Sequence, residues 1–143
     1  MPFTDEHELF RRTLREFLEH EINPCVDAWE RIGGFPAHEL FPRLAGLGLF
    51  GLEYDPVDGG QGADHLYTVV LGEELGRIHC GGVPMAIAVQ TYMATPALAR
   101  YGSPELKRRY LAPALRGEMV CAAAVNRAGR WLRRRRHPRP RHA

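Results

Sequence analysis

The chain has 143 residues, enough for one domain built around one hydrophobic core, and its 45% apolar and 25% charged residues are ordinary for a soluble fold. The formal net charge of +2 is unevenly placed: residues 1–125 hold all 17 acids and 11 of the 19 lysines and arginines, whereas residues 126–143 hold eight arginines and no acid. The body is therefore mildly acidic, which gives it no reason to bind nucleic acid.

The first apolar face runs through Leu9, Phe10, Leu14, Phe17, Leu18 and Ile22, the 3–4 spacing of a helix. Asp5 with Glu8 is the expected cap, and Pro24 the expected break. A short helix follows from Val26 until Gly33-Gly34 stops it, and a third starts near Pro36 and ends at Gly46 and Gly48. The stretch LFGLEYDPVDGGQGAD has turn chemistry throughout. Asp64 caps a longer helix with Tyr67, Val70, Leu71, Leu75 and Ile78 on one face, and Gly81-Gly82 breaks it.

VPMAIAVQTYMATPALARYG is apolar on nearly every side, which predicts a buried central helix. Ser103-Pro104-Glu105 is a strong helix start, with Leu106, Tyr110 and Leu115 facing inward. EMVCAAAV, after Gly117, is short, apolar and suited to a strand. The expected fold is an all-α bundle of about six helices with a short terminal strand and a basic tail.

Cys25, Cys80 and Cys121 are far apart and form no CxxC pair, which points to reduced thiols rather than zinc or a redox couple. The acidic N-terminus lacks the apolar core of a signal peptide, and no apolar run approaches the ~18 residues of a membrane span. A cytoplasmic chain is expected, without a membrane partner.

Catalytic signals are weak. His7, His20, His38, His65 and His79 are scattered beside charged or cap positions, as solvated histidines are. GGQG at 59–62 lacks the spacing of a phosphate loop and reads as a turn. Glu73 and Glu74 are helix neighbours and do not converge; a local ion pair for one and solvent for the other is expected. Met85, Ala88, Val89, Tyr92 and Met93 suit core packing, or else the wall of an apolar ligand site.

Taken together, RRTLREFLEHEINPCVDAWERIGGFP, LAGLGLFGLEYDPVDGGQGAD, VVLGEELGRIHCGGV and YGSPELKRRYLAPALRGE resemble the N-terminal helical domain of acyl-CoA dehydrogenases. The resemblance runs nearly ungapped from Phe3 to Val125, with one residue inserted between Pro96 and Tyr101. It implies residues 1–117 as that domain and 118–125 as the start of a β-domain. It also implies FAD-dependent desaturation of acyl-CoA thioesters between the α and β carbons. In such enzymes a glutamate of the C-terminal half takes the α-proton, electrons pass to an electron-transfer flavoprotein, and the subunits form homo-oligomers. Carried over, the substrate wall falls on Pro84, Met85, Ala88 and Val89, and the flavin-contacting segment on Ala123, Ala124 and Val125. The base and most flavin contacts would lie outside this chain, so an inactive fragment is expected.

The resemblance stops at residue 126, where the family continues TEPxxGSD. Codons exist for Asn126 to Arg134 which, read one base later, give Thr-Glu-Pro-Ala-Val-Gly-Ser-Asp; the single codon of Trp131 supplies the glycine. Residues 126–143 therefore read as a frameshifted tail, and prolines among like charges predict disorder there. Two rivals remain. A nucleic-acid arm predicts binding that collapses with salt, and a non-catalytic helical interaction module predicts a defined partner on the apolar face.

Overall fold

A computed structural model of the chain describes residues 3–124. Each expected helix is present, in the order α1 (Asp5–Phe17), α2 (Val26–Ile32), α3 (Ala37–Gly46), α4 (His65–Leu75), α5 (Gly82–Ala88), α6 (Pro96–Tyr101), α7 (Pro104–Leu106) and α8 (Ala112–Leu115), although α4 ends at Leu75, short of Ile78 and Gly81-Gly82, and the expected central helix is interrupted at Thr95. Wider π turns extend three of them, at Leu18–Ile22, Val89–Ala94 and Lys107–Leu111. Leu14, Leu18 and Ile22 form one buried stripe that meets Leu40, Phe41 and Leu44 of α3, Leu71 and Leu75 of α4, and Val83 and Ile87 of α5. Burying each such side chain stabilises the fold by roughly 1.5–3 kcal/mol relative to leaving it in water.

The start of α1 differs from expectation. Thr4 is the cap: its hydroxyl accepts from the His7 backbone N–H, and His7 Nδ1 accepts from the Thr4 N–H at 3.0 Å. His7 thus fills the place usually taken by Glu or Gln in a capping box. It is not solvated but 2% exposed, stacked 4.3 Å from the Tyr67 ring centroid. With Nδ1 accepting, Nε2 carries the ring proton and donates to Asp64 Oδ1 at 3.1 Å. Asp64 meanwhile caps α4 as expected, accepting from the Leu66 N–H at 2.8 Å. One carboxylate therefore ties the starts of two helices together. Thr4→Ala is expected to cost about 1 kcal/mol, read as a shift in the urea midpoint at unchanged slope.

Pro24 kinks the chain without breaking it. The π turn Leu18–Ile22 and a 3₁₀ turn at Asn23–Cys25 absorb the missing donor, and α2 follows directly. Gly33 stops α2 at a φ of 72°, as its sequence position suggested. The glycine-rich loop is a packed structural turn. Leu49, Phe50 and Leu52 are buried, and Gln61 and Ala63 donate back to the Gly51 and Leu52 carbonyls.

Three other expectations need correction. The segment from Val83 to Tyr101 is not buried all round: Met85, Tyr92 and Met93 are exposed, and only the Val83, Ile87 and Thr91 side faces the core. Leu106 and Tyr110 also face solvent; at Tyr110 the π turn at Lys107–Leu111 shifts the register by one residue and turns Leu111 inward instead. Residues 120–124 are irregular, with no strand among the described residues, since a strand needs a ladder partner. The buried Gln90 side chain holds this segment instead. It donates to the Ala114 and Met119 carbonyls and accepts from the Cys121 N–H at 2.7 Å. The Arg-rich tail at 126–143 and Val125 lie outside the described residues. Among those described, no helix is long and apolar enough to cross a membrane.

Candidate functional site

One open concavity lies between the C-terminal half of α4 and the exposed flank of α5. It has a volume of about 370 Å³ and brings together Gly72, Leu75 and Gly76 with Pro84, Met85, Ala88 and Tyr92. Gly72 makes it possible: a Cβ built there meets nothing within 4 Å, so the missing side chain leaves open space on the helix flank. Proline at the third position of α5 costs no helix bond, because the first-turn N–H groups have no intrahelical partner.

Of the four residues expected to line a substrate wall, Pro84, Met85 and Ala88 converge here. Val89 is half-buried and does not line this concavity. Tyr92 completes the row, four positions after Ala88 and seven after Met85. That spacing was the signal for it.

Tyr92 also lines a second cavity, of about 210 Å³, together with Leu52, Glu53, Tyr54, Thr68 and Pro96. Burial pushes the Tyr92 phenol up to about 12, so it stays protonated at neutral pH. The Tyr54 hydroxyl donates to the Thr91 carbonyl at 3.2 Å and lies 2.9 Å from Thr95 Oγ1, which leaves its ring as wall. Glu53 is the charged group. Thr68 hydrogen bonding, then the His65 imidazole whose Nδ1 donates to it at 2.8 Å, hold its carboxyl below the ordinary range. Thr68 and Gly72 lie one turn apart on α4, whereas Glu53 comes from the preceding turn segment, and local sequence carried no signal that it would meet Thr68.

Ala123 and Ala124 are exposed on irregular backbone and bring only methyl groups and main chain. They offer a flavin main-chain donors and acceptors and no side-chain polar atom. His20, His38, His65 and His79 are exposed as expected. No group of three His, Cys, Asp or Glu side chains suited to a metal occurs among the described residues. The Glu73–Glu74 pair is also more than a local ion pair: Glu74 is 2% exposed at its side chain and accepts from Arg15 Nε at 2.9 Å and Nη2 at 2.6 Å, while Arg11 bridges both acids.

The described residues form a helical domain with a packed inner face and a grooved, apolar outer flank. Residues 4–118 match the acyl-CoA dehydrogenase N-terminal domain family, and the chain belongs to the acyl-CoA dehydrogenase family. It is 35% identical over 130 residues to a 3-(aryl)acrylate reductase of Clostridium sporogenes, covering 90% of this chain and 34% of that protein. It is 29% identical over 130 residues to the caffeyl-CoA reductase–Etf complex subunit CarC of Acetobacterium woodii, covering 90% and 34%. It superimposes on the crystal structure of an acyl-CoA dehydrogenase from Geobacillus kaustophilus with a TM-score of 0.74 at 32% identity, covering 82% and 30%. The chain thus spans about a third of the length of the relatives it matches.

Proposed function

We propose that this chain provides the acyl-side wall of an FAD-dependent acyl-CoA oxidoreductase. The observation that carries the reading is the convergence of Pro84, Met85 and Ala88 on one groove above Gly72, where the family resemblance puts the substrate. These side chains would exclude water from an acyl chain and hold it straight; they bring no acid, base or nucleophile. Residues 1–117 would be the helical domain and 118–125 the lead into a β-domain. Flavin contacts and the proton-abstracting base would come from sequence equivalent to the two thirds of the relatives that this chain does not span.

Relatives named as reductases beside others named as dehydrogenases support redox chemistry at the α,β bond in either direction. The Etf-complex subunit among them supports an electron-transfer flavoprotein as redox partner. A homo-oligomeric, cytoplasmic enzyme completes the reading. The acidic body speaks against the nucleic-acid arm, and the family match speaks against a purely structural module.

A diazirine-bearing acyl-CoA irradiated with the chain is expected to label Met85, Ala88 or Tyr92; labelling confined to other elements would refute the wall. The same chain, given FAD, acyl-CoA and an artificial electron acceptor, is expected to show no turnover. Measurable turnover would refute the assignment of base and flavin contacts to sequence outside it.

A further inference from the structure

One stretch of helix carries both the substrate wall and a tie to the chain that leaves the domain. Met85, Ala88 and Tyr92 line the groove. Gln90 lies two residues from Ala88 and two from Tyr92, and helical neighbours at that spacing point about 200° apart. Its side chain is accordingly buried away from the groove. The backbone beneath it is held as well: Thr95 Oγ1 donates to the Gln90 carbonyl at 2.7 Å, and the Tyr54 hydroxyl donates to the Thr91 carbonyl at 3.2 Å.

The Gln90 amide is fully spent. Nε2 donates to the Ala114 and Met119 carbonyls, each at 2.9 Å, and Oε1 accepts from the Cys121 N–H at 2.7 Å. Two carbonyls facing one end and an N–H facing the other fix which end is nitrogen. The Met119 carbonyl and the Cys121 N–H flank Val120, and one residue of a neighbouring parallel strand would grip the same pair. A side chain thus stands in for a strand. Nothing else polar holds this stretch: the main-chain groups of Val120, Ala122, Ala123 and Ala124 make no hydrogen bond among the described residues. Packing adds little, since these four residues are exposed.

We infer that Gln90 is a positioning residue, a surrogate strand partner that fixes the register and direction in which residues 119–124 leave the helical domain. The inference rests on the reading of residues 118–125 as the lead into a β-domain. Ala123 and Ala124, where the family resemblance puts flavin contacts, then stand at a set place relative to Met85, Ala88 and Tyr92. Redox chemistry on an acyl chain demands such a reference, because a misplacement of about 1 Å costs on the order of a hundredfold in rate. Glutamate cannot replace Gln90, for a carboxylate would face two carbonyls, and an aliphatic side chain would leave three main-chain groups unpaired. The other edge of the stretch, with the Val120 N–H and carbonyl, stays open to the next strand.

The test reads orientation. Residual dipolar couplings are measured on the ¹⁵N-labelled 143-residue chain, native and with Gln90→Met, which keeps the volume and removes all three bonds. In the native chain the amides of Val120, Cys121 and Ala122 should fit the alignment frame of α4 and α5 at full amplitude. In Q90M their couplings should collapse while those of α4 and α5 persist. Exchange of the Cys121 amide with solvent should quicken about tenfold, the effect of losing one such bond.

Cys121→Pro deletes only the N–H that Gln90 accepts, outside every helix, and serves where Q90M fails to fold; the couplings of Ala122 should collapse there too. Native couplings already averaged away overturn the inference, as does native amplitude in either variant. A Gln90 that merely supports α8 would lower stability and leave the orientation of residues 120–122 unchanged. Photolabelling of the groove is read separately. Labelling elsewhere with couplings intact overturns the acyl wall and not the tie, and the reverse result overturns the tie alone.

Discussion

Replacing Glu74 by glutamine is expected to cost the domain about 2–3 kcal/mol, or roughly 10 °C in melting temperature. The side chain is 2% exposed and reached by Arg15 through two nitrogens, by Arg11 at 3.3 Å and by Arg77 at 3.6 Å. Removing its charge leaves Arg11, which is 14% exposed, with Glu73 and Glu8 but without its buried partner. Arg15 and Arg77 reach water and recover part of the loss, which keeps the effect below that of a fully buried pair. Thermal or urea unfolding of E74Q beside the native chain measures it; a change under 0.5 kcal/mol would sink the claim that this cluster fixes α1 on α4.

The same carboxylate sets an acid limit. Hydrogen bonding from Arg15, and then the charges around it, hold Glu74 below the ordinary 4.5 in the folded chain. The unfolded chain therefore binds its proton first as the pH falls. The contribution is complete above about pH 4.5 and drains away as the pH drops through the depressed folded value. The stability difference between native chain and E74Q should shrink below pH 4.5, and a difference independent of pH would contradict this.

Gly117→Ala is expected to be worse, costing about 3 kcal/mol or more. Gly117 has a φ of +71°, and a Cβ there would collide with the main chain of Phe41 and Pro42 rather than with a movable side chain. Phe41 is 1% exposed at the centre of the core, so the clash cannot be relieved by shifting a surface loop. Gly46→Ala is the matched control, since its Cβ meets nothing within 4 Å and the residue is helical. It should be neutral or stabilising by up to about 1 kcal/mol. Equal unfolding midpoints for the two variants would remove the close approach from the account.

What the sequence carried legibly was local. Asp64 and Ser103 cap the helices they precede, Gly33 stops α2, and the GGQG run turns the chain, because each depends only on neighbours within a few positions. The hidden features depend on distance. His7 looks like a surface histidine until Asp64 and Tyr67 arrive about sixty positions later. Leu106 and Tyr110 fit a 3.6-residue period that the π turn suspends. Met85, Tyr92 and Met93 have core composition yet stand on the open flank, since composition does not say whether a partner is present. The site divides likewise. Pro84, Met85 and Ala88 came from family resemblance, Tyr92 was available from helical spacing, and Glu53 and Thr68 needed the tertiary structure.

The charge cluster also orders events in time. Arg15 and Glu74 are 59 positions apart, so α1 leaves the ribosome long before its partner exists. At about 5–20 residues per second, that interval is roughly 3–12 seconds. For that period Leu14, Leu18 and Ile22 have only α2, α3 and the packed loop to cover them. The nascent chain is then most open to chaperones, and the emergence of α4 and then α5 closes the window.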